Sequence, residues 1–175
     1  MTQTAKQFFD EMQGYGGDVR GIYQAYERWL SAVPTQQLAA KRAEAEVLFR
    51  RVGITFNVYG EEDGAERLIP FDVIPRLISA SEWAHLSKGA VQRVRALNMF
   101  LHDIYHDQEI IKAGIVPHNI FTNAQYRPEM VCVNVPNQGY AHVAGIYLVL
   151  TSKSQFYVLG DNLRTPSGVS YMLED

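Results

Sequence analysis

Asp161, Asn162, Arg164, Thr165 and Ser167, with Gly160 and Gly168 at the ends, crowd into the nine residues from 160 to 168. They follow the strand-like run Phe156-Tyr157-Val158-Leu159. Polar groups gathered at a strand end are where sheet proteins commonly hold ligands. Arg164 can fork onto a carboxylate or a phosphate. Thr165, Ser167 and Gly168 can offer hydroxyls and backbone N–H groups to an anion. A polar turn of the Pro-Ser-Gly kind has a similar composition. The density of chemistry, rather than any single residue, makes this stretch the candidate site.

Other constellations carry less. His102 and His106 are four apart and would share a helix face, as a two-histidine metal site requires. The residue after His102 is Asp103, so the general-base glutamate of a zincin helix is absent. The plainer reading is a pair of surface histidines, with Asp103 and Asp107 as solvated charges. Asp72 and Arg76, in IPFDVIPR, are either ligand-facing groups on a proline-stiffened segment or a structural ion pair tying it to the long helix. Glu61, Glu62 and Asp63 read as the tip of a hairpin. No serine stands in a G-x-S-x-G context, so no nucleophile elbow is present.

The elements that must position these residues follow from periodicity. Residues 8–20 are glycine-rich and irregular, an arm laid on a larger body. Ile22, Ala25, Tyr26, Trp29, Leu30 and Val33 recur at helical spacing. Thr35 is an N-cap candidate for a second helix with Leu38, Ala45, Leu48, Phe49 and Val52 on one face, closed by Gly53. ITFNVY (54–59) and Arg67-Leu68-Ile69 predict a hairpin. Ser79 or Ser81 opens the longest helix, with a stripe of Trp83, Leu86, Ala90, Val94, Leu97, Leu101 and Ile104 and a break near Gly89. A short helix over 108–113 ends at Gly114. MVCVNV, YAHVAGIYLVL and QFYVLG then predict an antiparallel set of strands, because their short turns cannot carry a parallel crossover. This order predicts an α/β (α+β) chain with flanking helices and an antiparallel sheet at the C-terminal end.

The chain has 175 residues and a formal net charge of -3, with no run of basic residues longer than Arg50-Arg51. That argues against nucleic acid and against a polybasic membrane segment. No apolar run approaches the roughly 20 residues that span a bilayer, and residues 1–12 lack a signal-peptide core. The one cysteine, Cys132, cannot close an internal disulfide and reads as a small buried hydrophobe, so a reducing cytoplasm is the expected setting.

Five runs carry a family resemblance: ERLIPFDVIPR (66–76), SEWAHLSKGAVQRVRALNMFLHDIY (81–105), AGIVPHNI, YRPEMVCVNVP and DNLRTPSGVSYMLE. Through them the chain resembles the circularly permuted ATP-grasp proteins related to glutathionylspermidine synthase. The resemblance implies an ATP-grasp fold and ATP-dependent joining of a carboxylate to an amine, with Mg²⁺ on the phosphates. It implies that Arg164, Ser167 and Gly168 face the nucleotide and that Asn162 is a metal ligand. The family pattern has an E-D-N run and an upstream G-I-D-L-V-R run. Here Gly160 replaces the glutamate, Tyr147 the aspartate and Leu150 the arginine. A lone neutral amide makes a poor Mg²⁺ site. Family members also run beyond SYMLE, so residues 1–175 are expected to form one domain equivalent to the N-terminal part of the whole.

Three readings follow. The first is a short, catalytically degenerate relative with no catalytic residue, acting by binding a ligand or a protein. The second is half of an ATP-dependent carboxylate–amine ligase, completed by a partner chain. The third is a structural interaction module. Exposed apolar surface, and with it self-association or a stable partner chain, is expected of such a body.

Overall fold

The computed structural model describes residues 9–14, 17–56, 67–68, 71–122, 125–151, 155–166 and 168–174. The chain falls into two compact units. One comprises Met1–Ala80, Leu150–Tyr157 and Ser167–Asp175, the other Ser81–Val149 and Val158–Pro166.

The first unit opens on a tight turn. Asp10 Oδ1 accepts the N–H groups of Met12 and Gln13 at 2.7 and 2.9 Å. A 3-10 turn at Gly21–Tyr23 leads into α1, Gln24–Ala32. Pro34 occupies the N-cap position of α2, Thr35–Val52, so Thr35 is the first helical residue and not the expected cap. Proline there costs nothing to the ladder and its fixed φ suits the entry. The helix ends as its sequence predicts. Gly53 has φ +81°, and the N–H groups of Gly53 and Ile54 both donate to Phe49 O, at 3.0 and 2.9 Å. Phe49 is buried and meets Phe71 edge-on with ring centroids 4.9 Å apart. Leu38 and Ala45 are half-buried, whereas Leu48 and Val52, placed on the same stripe, are exposed. β1, Thr55–Phe56, pairs antiparallel with β2, Arg67–Leu68. The hairpin is therefore present, while its acidic tip, Glu61, Glu62 and Asp63, lies outside the described residues. Tyr23, Phe49, Ile54 and Leu150 form the buried apolar centre of this unit.

The second unit is built on α3, Ala80–Tyr105. The helix runs through Gly89 without the expected break. An exposed glycine in a helix costs about 1 kcal/mol, which a 26-residue helix absorbs. Leu86, Ile104 and Tyr105 are buried, and Ala90, Val94, Leu97 and Leu101 half-buried. Trp83, predicted on the same stripe, is 61% exposed. α4, Glu109–Lys112, is capped from a distance: Asp103 Oδ1 and Oδ2 accept the N–H groups of Glu109 and Ile110 at 2.9 and 3.0 Å. Asp103 is thus a cap and not a solvated charge.

The strand expected over MVCVNV does not form. Pro128–Met130 is a 3-10 turn, and Cys132 has φ +59° with its N–H donated to Tyr105 O at 2.8 Å. The segment docks on the end of α3, and a left-handed residue in its middle breaks the extended path. Cys132 is exposed, contrary to the expectation of burial.

β3, Gly145–Thr151, and β4, Gln155–Asn162, make a two-stranded sheet. A three-residue link cannot reach back for a parallel pairing, so the pair is antiparallel. α5, Val169–Glu174, begins where Met172 N–H donates to Gly168 O at 3.3 Å. The chain is thus an α+β arrangement of helices with small antiparallel pairs. Among the described residues no helix is long and apolar enough to cross a membrane.

Candidate functional site

The site grows from the last two residues of β4. Asp161 is held by Arg93 of α3 in a two-pronged pair. Arg93 Nη2 donates to Oδ2 at 2.6 Å and Nε to Oδ1 at 3.0 Å. The hydrogen-bonded guanidinium holds the Asp161 carboxyl below the usual carboxylate range, against the opposing effect of burial. The same bond raises Arg93. The fork fixes the end of the strand against the long helix of its own unit.

Asn162 then folds the chain back. Its Oδ1 accepts the N–H groups of Arg164 and Thr165, both at 3.0 Å. Its Nδ2 donates to Thr165 O at 2.9 Å and to Tyr147 Oη at 3.4 Å. This is an Asx-type turn with both lone pairs of the amide oxygen engaged. Thr165 and Pro166 return toward the start of β3, where an added Cβ on Gly145 would lie 2.9 Å from Pro166 Cβ. Glycine at 145 is therefore what admits the turn.

Arg164 is exposed, and its Nη1 donates to Gln125 Oε1 at 2.5 Å. Tyr147 is half exposed beside Gly160, where an added Cβ would meet its ring at 3.9 Å. Of the residues predicted from sequence, Asn162 and Arg164 are brought together in one turn. Gly168 belongs to the first unit, exposed at the entry of α5. Ser167 lies outside the described residues.

The donor set at this turn does not fit Mg²⁺, which asks for several oxygen ligands, chiefly carboxylates. Gly160 offers no side chain, the Asp161 carboxylate is paired with Arg93, and Asn162 Oδ1 is engaged by two N–H groups. Leu150, at the position of the family's arginine, is 6% exposed in the first unit's core. Among the described residues no three His, Cys, Asp or Glu side chains converge as a metal cluster.

The other candidates resolve differently. Arg76 pairs not with Asp72 but with Glu11, Nε to Oε2 at 2.7 Å, and its guanidinium lies 5.9 Å from the Phe156 ring centroid. Asp72 Oδ1 accepts the Ile74 N–H at 3.0 Å. Both are structural in what they touch. His102 and His106 are half-buried and stacked, with centroids 4.1 Å apart, and are not surface histidines. Sequence reasoning missed Arg93 and Gly145. A fork between residues 68 apart leaves no local signal, but a glycine opening an apolar strand is a signal of close backbone approach.

A sequence profile of the family described as a circularly permuted ATPgrasp matches residues 75–175. An uncharacterized protein of Mycobacterium leprae is 43% identical over 168 residues, which cover 95% of this chain and 29% of that protein. One from Synechocystis is 38% identical over 169 residues, 96% of this chain and 35% of that protein. A protein of Frankia alni provisionally named glutamate–cysteine ligase 2-3 is 37% identical over 172 residues, 95% of this chain and 19% of that protein. The chain thus spans about a third or less of the curated relatives it matches. On the matched profile, the chain belongs to the circularly permuted ATP-grasp family.

Proposed function

We propose that this chain is a catalytically degenerate member of the carboxylate–amine ligase group of ATP-grasp proteins, acting by binding a ligand or a protein. The observation that carries the reading is the commitment of the oxygen ligands at the β4 end. Asp161 is tied to Arg93, and Asn162 Oδ1 to the Arg164 and Thr165 N–H groups. What remains for a ligand at this turn is the exposed Arg164 with Thr165, a pair suited to an anion without a metal. The likeness of the five runs to glutathionylspermidine synthase relatives, one domain over residues 1–175 equivalent to the N-terminal part of the relatives, and a cytoplasmic setting belong to the same proposal. The Frankia relative's name supports ligase ancestry at the level of the family.

The test is phosphate release. With ATP, Mg²⁺ and mixed amino acids, the isolated chain is expected to release none above the blank, and turnover above it refutes the reading. The Gly160→Glu, Tyr147→Asp double variant restores two carboxylates without touching the buried Leu150.

A second reading, a ligase half completed by a partner chain, draws on the short share of the relatives that the chain covers. It also draws on the apolar side chains left open on β4, with Tyr157 at 54% and Leu159 at 74% exposed. It expects activity only on mixing with that partner, and inactivity of every such mixture removes it.

A further inference from the structure

We propose that α2 is a homodimerisation surface, on which a second copy of this chain docks its own α2 antiparallel. The surface lies outside the turn described above and before the residues 75–175 that the family profile matches. The proposal does not rest on the ATP-grasp reading. α2 carries two stripes. Leu38, Ala45 and Phe49 supply its half-buried and buried residues. Ala40, Ala43, Glu44, Val47, Leu48 and Arg51 recur at steps of three and four residues and line a groove on the other side of the helix. All six are exposed, Val47 at 64% and Leu48 at 54%. A solvated helix face is ordinarily polar, so two branched aliphatic side chains together at its middle leave apolar surface for a partner.

The order of charges along this stripe selects the occupant. Glu44 stands one turn before the Val47–Leu48 pair and Arg51 one turn after it. A two-fold contact brings one patch onto itself, so the patch must be self-complementary. An antiparallel pairing with its axis between positions 47 and 48 gathers Val47 and Leu48 of both copies at the centre. The same register sets Glu44 level with Arg51 of the second copy and Arg51 level with its Glu44, so both ion pairs close at once. A parallel pairing in register sets Glu44 on Glu44 and Arg51 on Arg51, which like charges oppose.

Lys41 does not remove Glu44 from this role. Its Nζ holds one carboxylate oxygen, Oε2, at 2.7 Å, with the two side chains 61% and 66% exposed. An exposed pair of this kind contributes little, and a carboxylate accepts through two oxygens. α3 offers the contrast. Its open groove carries Lys88 and Arg95 beside Val91 and Met99, with no acidic side chain among the described residues that line it. The same two-fold contact there would set Lys88 against Arg95, so the second copy belongs on α2.

Sedimentation velocity of the full chain over a range of concentrations tests the surface. A monomer–dimer equilibrium is expected. Glu44→Arg and Arg51→Glu should each weaken it about tenfold or more, because each sets two like-charged pairs in the dimer. The Glu44→Arg, Arg51→Glu double variant should regain the native affinity within about threefold, and so should an equimolar mixture of the two single variants, in which each chain supplies the charge that the other needs. Val47→Gln, at a residue the monomer leaves exposed, should weaken the dimer severalfold with the helical circular dichroism unchanged. A chain that stays monomeric at millimolar concentration overturns the proposal. So does a dimer that both reversals leave undiminished, which assigns association to another surface such as β4. Failure of either restoration also overturns it. If a charge reversal unfolds the chain, Val47→Gln decides.

Discussion

Asn162 donates through its amide nitrogen twice and accepts through its oxygen twice, all to groups of its own turn and the facing strand. Asn162→Ala should therefore destabilise the second unit by about 1–2 kcal/mol, since two backbone N–H groups lose their acceptor. Asn162→Asp keeps that acceptor and should cost less, which urea melts of the two variants will rank. Asp161 makes a pH prediction. Its carboxyl is held below the usual range by Arg93, so the unfolded chain takes up this proton more readily than the folded one. The pair's contribution is complete above the ordinary carboxylate value of about 4 and is lost as pH falls through the lower folded value. Thermal melts of Asp161→Asn against the native chain should show a gap that is steady from neutral pH to about pH 5 and closes in acid. A gap that widens on acidification would contradict the pairing.

At the scale of elements, glycines decide two junctions. Gly145→Ala sets a Cβ 2.9 Å from Pro166 Cβ, and relieving that overlap should cost about 1–3 kcal/mol. The site turn should shift with it, visible in the amide shifts of Arg164 and Thr165. Gly53→Ala at φ +81° should cost about 1–2 kcal/mol for the left-handed conformation alone, with nothing in the way of the new methyl. Both losses are read from denaturant midpoints. The C-terminal ends of α2 and α4 and most of the last two strands were legible because their signals are local. Gly53 closes α2 and Gly114, at φ +71°, follows α4. β4 falls on the QFYVLG run, while β3 takes only the GIYLVL end of the YAHVAGIYLVL run, whose first five residues are not strand. MVCVNV was not legible. Its alternation of apolar residues reads as a strand, but what decides it is a backbone bond from Cys132 to the end of α3, and no pattern within the run announces that. The site was half legible for the same reason. Its polar residues stand in a row, while the Arg93 that fixes them and the saturation of Asn162 appear only once the chain is folded.

For the whole molecule, the small buried set and the exposed strand residues belong together. Among the described residues, the buried apolar side chains are Tyr23, Phe49, Ile54, Leu86, Ile104, Tyr105 and Leu150, while Leu159 and Leu173 are 74% and 75% exposed. A lone two-stranded sheet gains little stability by itself, and the matched relatives carry this segment as 19–35% of a longer chain. Leu159→Lys should therefore leave the melting temperature of the chain within about 1–2 °C of native, since the residue packs on little. It should also reduce any self-association through β4 seen by light scattering after size exclusion. The central claim is that family membership persists here without the family's metal-dependent chemistry. Calorimetric titration of the chain with ATP, with and without Mg²⁺, tests it most directly. The account predicts no Mg²⁺-dependent binding, with any residual affinity unchanged by the metal and lost in Arg164→Ala. Binding at micromolar strength that requires Mg²⁺ would contradict it.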